Sequence, residues 1–235
     1  MFERLRHAFS RASTAPAEAG PVGHWASSRF LQFHSTGPHQ FQLSGRVLER
    51  EWRAECKASS RPYIQGLELR VRVDLALPPA GSVILMSRSL LRTLEAQADA
   101  LYDHAVDDGL GRTRELPEEL RWLRLYQDAR WSGPVERFWQ RYAVLSDAPD
   151  LARRWLDGEA QEFLLAGDSE AAAQVPLLVS LVRGKCYLRL QVNPHAQGED
   201  ALLALELLEY LSERALVLAA RSGALGNDGF VSTRG

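Results

Sequence analysis

Gly66-Leu67-Glu68-Leu69-Arg70-Val71-Arg72-Val73-Asp74-Leu75 decides the fold class. Its apolar residues alternate strictly with charged ones, and extended chain points successive side chains to opposite faces. All the aliphatic groups therefore share one side and all the charges the other. Strands of an all-parallel sheet are covered on both faces and read as continuous apolar runs. This segment belongs instead to an antiparallel sheet with one face in a core and Glu68, Arg70, Arg72 and Asp74 in water.

The same alternation extends upstream. Phe41, Leu43, Gly45 and Val47 alternate with polar residues, and Trp52, Ala54 and Cys56 alternate with Arg53, Glu55 and Lys57, so 41–47 and 49–57 form a hairpin. Downstream, Pro78, Pro79 and Gly81 force a turn before a short strand at 83–86 and a helix over 89–105. The polar, glycine-containing stretch from Asp107 marks a boundary between lobes. Beyond it, Pro117 opens a helix that runs to Trp131, and Gly133-Pro134 opens another that carries Phe138, Trp139 and Tyr142. Then come a short strand at 143–145, a helix from Pro149, a hairpin of 176–182 with 185–192 around Arg183-Gly184, and a leucine-rich helix over 200–221. Each half thus has strands followed by a long helix, without a sequence repeat.

The reading is an α+β, two-lobed protein with antiparallel sheet or sheets that show one charged face to solvent and pack against long helices. Residues 24–108 make the N-terminal lobe and 112–221 the C-terminal lobe. Residues 222–235, rich in glycine, read as a disordered tail, and 1–23 as a flexible segment with a short amphipathic helix.

Charge narrows the partners. The chain has 28 Lys plus Arg against 30 Asp plus Glu, so no overall field attracts nucleic acid, and none is expected as a partner. Hydrophobic residues at 46% are enough for a packed core in 235 residues, with no demand for metal, disulfide or cofactor. Cys56 and Cys186 have neither CxxC spacing nor a histidine pattern nearby and read as small core residues. No secretory leader pattern and no long apolar run occur, so the expected location is the cytoplasm. Phe2, Leu5 and Phe9 on one helical face offer a membrane surface a small apolar handle.

The candidate site residues are Arg61, Tyr63, Glu68, Arg70 and Arg72. Arg61-Pro62-Tyr63 lies in the loop before the alternating strand, where binding residues concentrate, and Arg70 and Arg72 project from the wet face as forked anion donors. Cross-strand charge pairing alone also accounts for that face. Asp103, His104, Asp107 and Asp108 lack the spacing of a metal site and read as a solvated helix end, and Glu118 and Glu119 as acids that favour a helix start. No GxGxxG, Walker loop, GxSxG or SxxK is present, and no catalytic residue is assigned.

Trp52-Arg53-Ala54-Glu55, Arg61-Pro62-Tyr63-Ile64-Gln65-Gly66, Leu116-Pro117-Glu118-Glu119-Leu120-Arg121-Trp122, Phe138-Trp139-Gln140-Arg141-Tyr142 and Arg183-Gly184-Lys185-Cys186-Tyr187 together resemble a family of uncharacterised proteobacterial proteins with no assigned activity. The resemblance covers most of 25–219 and implies a bacterial cytoplasmic setting. It carries over no functional residue. The function expected is a binding or assembly module with a protein partner. The alternatives are an enzyme with a site between the lobes and peripheral membrane association through the N-terminal helix.

Overall fold

The computed structural model describes residues 20–107, 117–166, 174–196 and 198–227. Helix α1 (Gly20–Ser28) leads into strands β1 (Gln32–Gly37), β2 (Gln40–Val47), β3 (Arg50–Ala58), β4 (Leu67–Asp74) and β5 (Val83–Ser87). Helices α2 (Arg88–Asp107) and α3 (Glu118–Leu125), strand β6 (Gln127–Asp128), helix α4 (Glu136–Arg141) and strand β7 (Tyr142–Ser146) follow. The chain continues through α5 (Pro149–Trp155), α6 (Gly158–Leu165), β8 (Leu177–Val182), β9 (Lys185–Val192) and α7 (Glu199–Asn227).

The nine strands of the described residues form one antiparallel sheet in the order β1-β2-β3-β4-β9-β8-β5-β7-β6. The fold is α+β, and its sheet does not divide between 24–108 and 112–221. β4 pairs with β9, and β5 lies between β8 and β7. Hairpin chemistry sets the register locally. Leu48 and Glu49 between β2 and β3, and Arg183 and Gly184 between β8 and β9, all have positive φ, the backbone that a two-residue type I′ turn requires. At Gly184 the requirement is also steric, because a Cβ would lie 2.0 Å from the carbonyl oxygen of Leu77.

Burial explains the two kinds of strand. β5 is buried at every position, as befits a strand with helices on both sides, whereas β3 and β4 keep the alternation of their sequences. One face of the sheet packs Leu69, Val71, Val73, Cys186, Leu188 and their neighbours against α1, α5, α6 and α7. On the other face, Ile84, Met86, Ala143, Leu145, Leu178 and Val182 of β5, β7 and β8 pack under α2 and α3, with Tyr63 and Ile64 as the margin. Among the described residues nothing covers the remainder of that face, over β2, β3, β4 and the adjoining part of β9.

Several elements differ from the sequence reading. α1 begins at Gly20, inside the segment 1–23 expected to be flexible, and ends in a Schellman motif. There the Leu31 and Phe30 amides donate to the carbonyls of Ala26 and Ser27, and Phe30 takes the left-handed position usually given to glycine. The helix from Pro117 stops at Leu125 rather than Trp131, because Tyr126 is extended and Gln127–Asp128 pairs with the free edge of β7. α7 continues past Arg221 to Asn227, and the rest of the expected tail, 228–235, lies outside the described residues. So does the expected amphipathic helix with Phe2, Leu5 and Phe9. Among the described residues no helix is long and apolar enough to cross a membrane.

Candidate binding face

Register fixes which charges stand side by side on the uncovered face. Crossing from β2 to β9, one row reads Ser44, Arg53, Arg72, Tyr187 and the next reads Gln42, Glu55, Arg70, Arg189. Two pairs of arginines are therefore directly opposed: Arg53 with Arg72, and Arg70 with Arg189. Like charges placed opposite each other destabilise a sheet, so packing of the sheet gives no reason for this arrangement. The four arginines form a connected path across three strands, with Arg72 and Arg70 as its middle on β4.

Acids surround the path without cancelling it. Glu55 accepts from Arg70 at 2.5 Å and pairs with Lys57 at 2.7 Å. The hydrogen bond from Lys57, and next that from Arg70, hold the Glu55 carboxyl below the usual carboxylate range, against the opposing effect of burial. Asp74 is likewise held low, first by Lys185 at 3.2 Å, while Arg72 reaches it only at 3.5 Å. Arg53 pairs with Glu51 at the edge of the path. Arg72, its side chain half exposed, has the loosest ion pair of the four arginines. The four arginines, with Glu51, Glu55 and Asp74, line an open concavity of about 1220 Å³.

At one end of the face the loop 59–66 is locked by a buried polar network. Glu119, 1% exposed, accepts a hydrogen bond from the Tyr63 hydroxyl at 2.9 Å and one from Arg61 at 3.1 Å. Glu68, 2% exposed, accepts from Ser59 and from Arg189, each at 3.0 Å. Arg189 also lies 3.9 Å from Glu119 and so joins the two carboxylates. Burial first, then the adjacent Glu119 charge, pushes the Tyr63 hydroxyl well above the usual phenol range and keeps it a donor. Two carboxylates and two guanidinium groups balance here.

No protein-family model matches the sequence, and no curated protein matches it. A solved structure to which the chain is similar is that of the mycobacterial trehalose monomycolate transport factor A, TtfA, with a TM-score of 0.41 and 11% identity over 81% of this chain and 90% of that one. A likeness so distant carries no argument about the chemistry of this chain.

The five residues singled out from sequence thus separate into two groups. Arg61, Tyr63 and Glu68 come together in the buried network, and Arg70 and Arg72 lie on the open face. Glu68 corrects the expectation that all four charges of its strand face water, because Arg189 covers it from β9. Glu119, taken from sequence as an ordinary acid of a helix start, is a buried acceptor. Its helical phase gave a signal, since it stands one turn before Leu123 on the apolar side of α3. The apolar residues of 185–192 mark it as a strand but give Arg189 no partner, and Arg53 shows in the sequence only as a polar position of the alternating strand beside β4. The side chains of Asp103, His104 and Asp107, and all of Asp108, lie outside the described residues. Among the described residues no group of three or more His, Cys, Asp or Glu is placed to hold a metal.

Cys56 and Cys186 are buried and free. Their partners on β4, Leu69 and Val73, are four residues apart, which separates the two thiols by about 13 Å along the strands. Burial pushes Cys56 up to about 11 and Cys186 to about 12.

Proposed function

We propose that the protein is a binding module that docks a partner protein on the uncovered half of its sheet. The supporting observation is the opposed arginine pairs, a departure from cross-strand charge matching on a face that no other described residue covers. Departures of this kind from local rules collect at functional positions. The locked loop 59–66 gives the face a rigid rim, which lowers the ordering cost of association. A bacterial cytoplasmic setting, implied by the family resemblance, is compatible with two buried thiols that remain unpaired.

Site-specific photo-cross-linking in the native host tests the reading. A benzophenone side chain at Gln42 or Ser44 is expected to capture the same protein, whereas one at Leu203, half exposed on α7, is not. No capture from either open-face position, or equal capture from Leu203, would overturn it.

A further inference from the structure

Resting on that reading, we propose that the open face recognises an acidic, extended segment of the partner, with carboxylates at alternate positions aligned over Arg70 and Arg72. On β4 these two arginines are two residues apart on one face, a spacing of about 6.8 Å, which is also the spacing of alternate side chains in an extended peptide. A segment lying along β4 therefore brings one carboxylate to each guanidinium, while Arg53 and Arg189 flank it from the neighbouring strands. Forked guanidinium donors match carboxylate geometry. Arg53, Arg70 and Arg189 have carboxylate partners within 3.0 Å, so the ligand's charge adds most at Arg72, whose own pair, at 3.5 Å, is the loosest.

The surrounding acids select the kind of anion. Glu51, Glu55 and Asp74 stand beside the arginine path and would repel a continuous polyphosphate, whereas discrete carboxylates separated by uncharged residues avoid them.

The test uses fluorescence anisotropy of the full chain with labelled peptides of about ten residues, one of alternating Glu and Thr and one of the same composition with its glutamates contiguous. The alternating peptide is expected to bind more tightly and to lose affinity as salt rises. Arg72→Glu is expected to weaken it about tenfold or more, and Arg92→Ala on α2 to leave it unchanged. Equal affinity for the two peptides, no loss in Arg72→Glu, or tighter binding of a single-stranded oligonucleotide of equal charge would each overturn the inference. Cross-linking from Gln42 and Ser44 distinguishes the two levels of the argument. A partner captured on the face by a protein that ignores both peptides leaves docking in place and removes the acidic segment. No capture removes docking itself.

Discussion

Glu119→Ala provides a worked test of the buried network. The substitution removes the acceptor of the Tyr63 hydroxyl, and a buried donor left without a partner costs about 1–3 kcal/mol. It also deletes one buried methylene, at roughly 0.8 kcal/mol. Arg61, whose side chain is 29% exposed, recovers water, and Arg189 keeps Glu68, so neither adds much. The sum is about 3 kcal/mol, which shifts a urea midpoint by ~1 M or more. Tyr63→Phe removes the stranded hydroxyl, so Glu119→Ala in that background should cost about 1–2 kcal/mol less than in the parent chain. A urea midpoint for Glu119→Ala within experimental scatter of the parent, or strict additivity of the two substitutions, would refute the assignment of Glu119 as the loop's anchor.

Arg72→Glu should leave urea stability within about 1 kcal/mol of the parent, because the new carboxylate faces Arg53 and sits beside Arg70 while the loose pair with Asp74 is lost. A clear loss of stability would contradict the claim that the opposed arginines are unfavourable for the fold. Lowering the pH should destabilise the chain through Glu55 and Asp74. Both carboxyls are held low in the folded state, so their contribution is complete above the unfolded carboxylate range, at about pH 5, and disappears as pH falls through the folded values. Urea midpoints measured downward from that pH should fall less steeply in a Lys57→Met, Lys185→Met variant. Native Cys56 and Cys186 should resist iodoacetamide at pH 8, and both should react once urea unfolds the chain.

Local pattern and long-range pairing were not equally legible in the sequence. The strict alternation of 66–75 correctly specified an antiparallel strand with one wet face, because that periodicity is written in the strand itself. The β8–β9 hairpin was legible for the same reason, from two apolar runs around Arg183-Gly184. That β4 lies beside β9 was not, since no local feature of either segment names a partner more than a hundred residues away. The same limit hid the site. Glu68 reads as a wet residue until Arg189, separated from it by 121 positions, is placed over it, and Glu119 reads as a helix-start acid until Tyr63 arrives. Arg70 and Arg72 were found because their own strand shows them. Their opposition to Arg189 and Arg53 depends on register, which periodicity alone leaves open by steps of two residues.

The most direct measurement of the central claim is an NMR titration of arginine Nε–Hε signals in the full chain with the alternating Glu-Thr peptide. The account predicts saturable shifts at Arg53, Arg70, Arg72 and Arg189, and none at Arg154 and Arg214 on the helical side of the sheet. Shifts spread evenly over exposed arginines, or confined to the helical side, would contradict it.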